Sequence, residues 1–470
     1  MSTRLSFLRL PALIMIAAVS PLSAQAPGVY ALQAPGVYAL KDARIVRVSG
    51  PVIERGTVVV RDGLIESVGE NGTVPATVPG DAWAIDCKGL TVYPGLIDAL
   101  STWGLTNTPT GRGGGRGPAT PAPAAAPPAT ATPATPARGP EDRPLSTAWL
   151  KAVDQIFPTD SHIETARNGG YTTAVTFPNG NIFSGQGSVI DLAGERAGQM
   201  VVAESVGQFV TLRTNGRGGG FPGSLMGSIA YIRQIYLDAD HYKLAKSIYE
   251  KHPQGLARPA YDRTLEGVLA SPRVLLPATR DVEIERMLAL AKELKLNAVL
   301  YGGHEAWRAA DLLKQTDTPV LLSLKYPEKA RDADPAENEP LRVLELRDKA
   351  PTSAGALAKA GVRFAFYSDG VATPKELMAA VKKAIDAGLP PADAVRALTL
   401  SAAAMYGVDD RIGSIDKGKI ANLVVTDGDL FESKTKIKYV FVDGAKFEPP
   451  VEEPAVRPGG RGAGRGGPER

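Results

Sequence analysis

From Thr172 to Ala387 the chain alternates short apolar runs with amphipathic stretches, and no other feature restricts its fold so tightly. Thr172 to Phe177, Arg273 to Leu276, Ala298 to Tyr301, Val320 to Leu324 and Arg363 to Phe366 each read as a short buried strand. Between them, Val282 to Leu294, Glu305 to Lys314 and Pro374 to Ala387 carry helical periodicity. The last opens with Thr373 as N-cap, Pro374 at the first helical position and Glu376 completing a capping box. Strand–helix units of this size imply a parallel sheet. A closed α/β barrel of the (β/α)8 TIM type fits the length of 470 residues.

Both ends of the chain are β-like instead. From Ala43 come Ile45, Val46 and Val48, then Thr57 to Val60, then Leu64, Ile65 and Val68, punctuated by Gly50-Pro51, Asp62-Gly63 and Asn71-Gly72. Asn422 to Val425, Ile437 to Val442 and Asp443-Gly444 close the chain in the same manner. The expected layout is a small β-sandwich shared by residues 43–93 and 415–447, around a barrel at 94–414.

Composition sets the remaining bounds. A net charge of +3 gives no general attraction to nucleic acid. The single Cys87 excludes an intrachain disulfide and any cysteine-rich metal cluster. Arg4 and Arg9 precede an apolar run from Leu10 to Leu22 followed by small residues, so 1–26 reads as a secretory signal. A periplasmic or extracellular location follows, with no membrane association after the signal is removed. Residues 27–42 are expected to be a flexible lead-in with a tandem octapeptide, QAPGVYAL at 25–32 and again at 33–40. The Pro/Ala/Thr/Gly-rich insert 107–142 and the Arg/Gly-rich tail 448–470 are too poor in large apolar groups to offset ordering entropy and read as disordered. Four histidines are present: His162, His241, His252 and His304.

Several motifs now point one way. Val92-Tyr93-Pro94-Gly95-Leu96-Ile97-Asp98 resembles the segment that opens the catalytic barrel of the amidohydrolase superfamily. Gly56 to Ile65 resembles the family's N-terminal sandwich strand and turn, and Asp410 to Lys419 with Ala421 to Val425 resembles the return into that sandwich. Ala166 to Thr173 and Pro178 to Ser188 are similar to the imidazolonepropionase-like branch. The resemblance runs from about Ala43 to Phe447 and implies hydrolysis of a C–N or dipeptide bond by water held on divalent metal, zinc for choice.

The ligands that the resemblance requires are largely missing. At the two places of the family's His-x-His pair stand Leu100 and Thr102, and Pro277 stands where the next histidine belongs. His304 falls near the following ligand, and Asp369 matches the aspartate that binds metal and takes the proton from the attacking water. The competing readings are a loop residue capping locally for His304 and an Asp-Gly turn for Asp369-Gly370. Asp98 reads as structural. His162, His241 and His252 have no metal-pair spacing and read as surface positions.

Three functions are compatible with that pattern. The chain is a catalytically impaired amidohydrolase-like protein that binds a small molecule at the barrel mouth, with no metal or a weakly held one. Alternatively it is an active hydrolase with a rebuilt or mononuclear site around His304, Glu305 and Asp369. Alternatively it is the non-catalytic subunit of an intact paralogue, as a heteromer, or else a homodimer. Export predicts a mature N-terminus between Gln25 and Pro27. N-terminal sequencing of the exported protein checks this, and an intact Met1 would overturn it.

Overall fold

The structure, a computed structural model, describes residues 36–71, 78–105, 143–214, 221–329, 338–371 and 373–450. The expected signal segment 1–26, most of the expected lead-in, the insert 107–142 and nearly all of the tail lie outside those residues. Strands β1 (Val37–Ile45), β2 (Ile53–Arg61), β3 (Leu64–Glu70), β4 (Trp83–Asp86) and β5 (Thr91–Pro94) come first. Then follow β6 (Leu96–Ser101), β7 (Tyr171–Thr176), β8 (Phe183–Asp191), β9 (Val201–Val210) and β10 (Val274–Ala278). The last six are β11 (Ala298–Gly302), β12 (Val320–Ser323), β13 (Phe364–Tyr367), β14 (Leu423–Thr426), β15 (Ile437–Val442) and β16 (Ala445–Phe447).

The two ends of the chain build one sheet in the order β16-β15-β14-β5-β1-β2-β3, with β4 also pairing β1. Tyr38 of β1 and Phe441 of β15, three strands apart along the sheet, meet edge to face at 5.4 Å. The sheet therefore folds over on itself around a core that includes Leu40, Ile45, Val58, Val92, Leu423 and Phe441. Its two Asp-Gly turns have positive φ at both residues (48° and 82° at Asp62-Gly63, 48° and 73° at Asp443-Gly444), as the tightest hairpins require. These turns touch each other: a Cβ on Gly444 would sit 2.7 Å from the Gly63 Cα, so no larger residue fits. Strand β1 opens at Val37 rather than Ala43. Val37, Tyr38, Ala39 and Leu40, from the second octapeptide copy, are buried against β2, so 37–42 are part of the sheet and not a flexible lead-in.

The second sheet runs β13-β12-β11-β10-β9-β8-β7-β6. Side chains alternate across it with the strand period. Val274, Leu276, Leu300, Leu322, Phe364 and Phe366 face outward into the core beneath the helices, whereas Leu275, Val299, Leu321 and Ala365 fill the barrel interior. No ladder joins β6 to β13 among the described residues. A side chain closes that join instead: the Ser368 amide, just past β13, donates to Asp98 Oδ1 on β6 at 3.0 Å. The barrel departs from the all-parallel expectation at β8, which pairs antiparallel with both β7 and β9. The connections 177–182 and 192–200 are too short to hold a crossover helix of the usual length, so the chain turns back on itself there. Among the described residues no helix is long and apolar enough to cross a membrane.

The barrel and the folded sheet meet through a buried polar joint. Asn422 Nδ2 donates to Asp191 Oδ1 at 2.7 Å and to Thr173 Oγ1 at 3.1 Å, while Asn422 Oδ1 accepts the Asp443 amide at 2.8 Å. Burial pushes the Asp191 carboxyl up to about 7, against the lowering effect of Asn422 and Thr173. Asn422→Ala leaves Asp191 with Thr173 alone and should lower unfolding free energy by about 2–4 kcal/mol. Urea denaturation of the two proteins measures it, and a loss below about 0.5 kcal/mol would show that the joint is dispensable.

Candidate functional site

Leu100 and Thr102 sit at the end of β6, and the strand divides their fates. Leu100 is buried in the barrel interior with Ile97, Val175 and Phe177, while Thr102 lies beyond the strand and is exposed. Pro277 occupies β10 opposite Tyr301 of β11. A proline supplies no N–H to a ladder, yet pairing of β10 with β9 ends at Leu275, so none is required of it at 277. None of the three side chains offers more than a weak hydroxyl donor to a metal.

An aromatic chain fills the interior beside these positions. Phe209 lies 5.2 Å from Tyr301 and 5.6 Å from Phe177, Phe177 lies 6.2 Å from Tyr406, and Tyr301 lies 6.4 Å from Tyr367. Gly187 makes room for it: a Cβ there would fall 2.2 Å from the Phe177 ring. Two of the hydroxyls are already committed to backbone carbonyls, Tyr301 to Val210 at 3.0 Å and Tyr406 to Ala99 at 2.6 Å. The strand ends of β11 and β13 put Tyr301 and Tyr367 on the inward side, a consequence of period two that the sequence carries but that motif matching passes over.

His304 and Asp369 do come to the same rim. Asp369 is exposed, in the left-handed region at φ 49°, and its Oδ2 accepts the Ser323 hydroxyl at 2.8 Å. It is thus an Asp-Gly turn residue and a carboxylate at the mouth at once. His304 follows Gly302-Gly303, and burial lowers its pKa, opposed by the Asp369 carboxylate and a hydrogen bond to the Lys325 backbone. Its Nε2 is buried without a partner, and its ring lies 6.5 Å from Tyr326. A neutral imidazole with one free ring nitrogen beside a carboxylate can accept a proton or a ligand hydrogen bond. Ser323, which joins Asp369 to the Lys325 amide at 3.1 Å, carried no signal in the sequence.

The other candidates lie elsewhere. Glu305 is buried, but its Oε2 accepts the Asp281 amide at 3.1 Å at the start of helix Asp281–Glu293, so it serves that helix and not the mouth. His162 Nδ1 meets Asp160 Oδ1 at 2.7 Å at the N-terminus of Ser161–Asn168. Together with Trp103, Val371 and Pro374 it lines a shallow surface dent between two helices. His241 and His252 are exposed at the middle and end of helix Leu225–Lys251. Among the described residues, which include every histidine, no three His, Cys, Asp or Glu side chains gather as a metal-binding group. The residues present therefore do not fit the divalent metal that the resemblance implies, and no chemical step is routed through one.

Asp98 is the most buried acid at this rim. Its Oδ1 accepts the amides of Ser368 at 3.0 Å and Leu100 at 3.4 Å, and its Oδ2 has no partner. Burial, with a smaller contribution from Asp369, pushes its carboxyl up to about 7 in spite of the Ser368 and Leu100 hydrogen bonds.

The comparisons agree with this fold. Residues 269–446 match the amidohydrolase family. The amidohydrolase tasK of Hapsidospora irregularis is 22% identical over 430 residues, covering 84% of this chain and 40% of its own length. An N-acetylglucosamine-6-phosphate deacetylase of Haemophilus influenzae is 46% identical over 50 residues, 10% of this chain and 13% of that protein. The chain thus spans well under half the length of these curated relatives. A solved amidohydrolase structure from Thermotoga maritima superposes with a TM-score of 0.70 at 26% identity, covering 87% of this chain and 100% of that one.

Asp98 supplies the test of the site's electrostatics. Because its folded pKa lies above the ordinary carboxylate value of about 4, protonation favours the fold, and that contribution is complete below pH ~4 and lost as pH rises to about 7. Asp98→Asn keeps an acceptor and removes the titration. Its unfolding free energy should change less between pH 4 and 8 than that of the parent, with a relative gain above pH 7 of about 1–3 kcal/mol. Denaturant unfolding across that range measures this, and parallel profiles for the two proteins would refute the assignment.

Proposed function

We propose that this chain, an amidohydrolase-family protein by family match and by fold, binds a small molecule at the barrel mouth and has lost the metal-dependent hydrolysis of its family. The observation that carries this reading is the filling of the ligand layer. Leu100 and Pro277 stand at two ligand places, Thr102, exposed past the end of β6, offers only a weak hydroxyl donor, and Phe177, Tyr301 and Tyr367 pack in the same interior as Leu100. Two remaining donors, His304 and Asp369, leave a divalent ion mostly hydrated, so bound metal contributes little to folding. Export of the mature chain and the imidazolonepropionase-like branch belong to the same reading, supported by the N-terminal sequence and by residues 166–188.

A second reading rests on a specific feature, the unpartnered Nε2 of His304 beside Asp369. In that reading the pair forms a rebuilt acid–base site for C–N bond hydrolysis. Metal analysis and a substrate panel separate the two. The purified mature protein should hold well under one equivalent of zinc, manganese or iron, its Tm should be indifferent to chelator, and amidase and dipeptidase substrates should remain intact. Leu100→His, Thr102→His and Pro277→His combined should raise metal occupancy. Stoichiometric metal in the unmodified protein, removed together with an amidase activity, would establish the hydrolase. Turnover that survives chelation and is abolished by His304→Gln would establish the rebuilt site.

A further inference from the structure

Helix Leu225–Lys251 is the longest in the described structure, and one side of it is buried. Ile235, Ala239 and Tyr242 lie on that side, and Lys246 and Tyr242 fix it to the neighbouring helix Arg263–Ala270 through Glu266, at 2.6 Å and 2.8 Å. At 100° per residue, Ala230, Gln234, Leu237, His241, Leu244, Ile248 and Lys251 line the opposite side. Every one of these is exposed. Their spacing alternates four and three, the seam of a two-helix coiled coil. Leu237, Leu244 and Ile248 keep 50%, 59% and 45% of their surface in water, an unusual expense for large aliphatic groups on one stripe. Beyond Tyr242 no residue of the helix is buried, so its C-terminal half is accessible to another body.

We propose that this seam pairs antiparallel with the same seam of a second copy of the chain, about a two-fold axis near residues 242 and 243. Charge selects the register. If Leu237 faced His241 of the second copy, the axis would fall at Ala239 and bring Asp240 within two positions of Asp240 of the second copy and Asp238 within two positions of Asp238, and like charges that close repel. A shift of one heptad removes both clashes. Leu237 then faces Ile248 of the second copy, His241 faces Leu244, and Gln234 faces Lys251. The shift also brings Asp240 near Lys243 of the second copy, and among the described residues neither Asp240 nor Lys243 has an ion-pair partner within its own chain. It centres the contact on the accessible half of the helix.

The seam from Gln234 to Lys251 runs about 26 Å. Its apolar area is on the order of a few hundred Å², less than the ~800 Å² per partner of a specific interface. The flanking charged side chains and the exposed stretch 251–258 supply additional contact surface, and the dimer is accordingly reversible on dilution.

Sedimentation equilibrium of the full mature chain tests the pairing. The parent should show a concentration-dependent monomer–dimer equilibrium. Leu244→Glu with Ile248→Glu should weaken it at least tenfold while circular dichroism and Tm stay unchanged, since both side chains are exposed. Asp240→Lys should weaken it by several-fold, and adding Lys243→Asp in the same chain should restore it. Cys87 is buried and is the chain's sole cysteine, so Leu237→Cys with Ile248→Cys should give a disulfide-linked dimer under mild oxidation. A parent that stays monomeric up to about 100 µM, in the range of weak association, would overturn the proposal and assign the seam to another occupant. So would a dimer indifferent to the Leu244 and Ile248 changes, or a charge swap that fails to restore pairing.

Discussion

A sheet that curls into a barrel must join its first strand to its last, and here a buried carboxylate makes that join. Asp98 on β6 accepts the backbone amide of Ser368 beyond β13, together with that of Leu100 in its own strand. The location is costly for a charge, since Asp98 is 1% exposed and its second oxygen has no partner. The cost places the residue's protonation within the neutral range and gives the closure a dependence on pH. Asp369 follows Ser368 directly, so the same join also fixes the carboxylate at the mouth. Closing the barrel and positioning the site are one event in this chain.

The motifs at the two ends of the chain survive for comparable reasons. Gly95 cannot become larger, because a Cβ there would fall 2.0 Å from the Thr172 hydroxyl. Asn422 reaches from the terminal sheet to Asp191 and Thr173 in the barrel. The paired Asp-Gly hairpins bring residues 63 and 444 into contact. Each of these groups holds two parts of the fold together and none depends on a metal. The opening and closing motifs can thus be kept by packing alone, whatever chemistry the mouth performs.

That division explains which parts of the structure were legible in the sequence. Strands β10 to β13 were readable as short apolar runs, because they are buried on both faces, and the Thr373 cap of helix Pro374–Asp386 was readable too, its hydroxyl oxygen accepting the Glu376 amide. Strand β8 was not readable as a turned-back strand: Phe183 to Asp191 is buried throughout, so it has no alternation to betray its direction. The start of β1 was concealed by the octapeptide duplication, which made a true strand look like a repeat. Leu100 and Pro277 could be recognised as non-ligands from their side-chain chemistry alone. Glu305 could not be removed from the site without seeing its bond to Asp281, and Ser323 could not be added without seeing its bond to Asp369. The heptad stripe of Leu225–Lys251 was hidden by Gln234, His241 and Lys251, whose polarity makes the stretch resemble an ordinary solvated helix.

The interior aromatics bear on how a barrel of this kind can persist with so few donors. Removing imidazoles from a packed mouth leaves space, and unfilled space in a core costs stability in proportion to its volume. Here Leu100 and the rings of Phe177, Phe209, Tyr301, Tyr367 and Tyr406 occupy the interior, with Tyr301 and Tyr406 hydrogen-bonded to carbonyls, so the apolar filling brings few unmet polar groups with it. The polar groups that remain are each made tolerable separately. Burial favours the neutral form of His304, Asp369 stays at the exposed rim with Ser323, and burial shifts Asp98 toward its neutral form against two amide hydrogen bonds to its Oδ1.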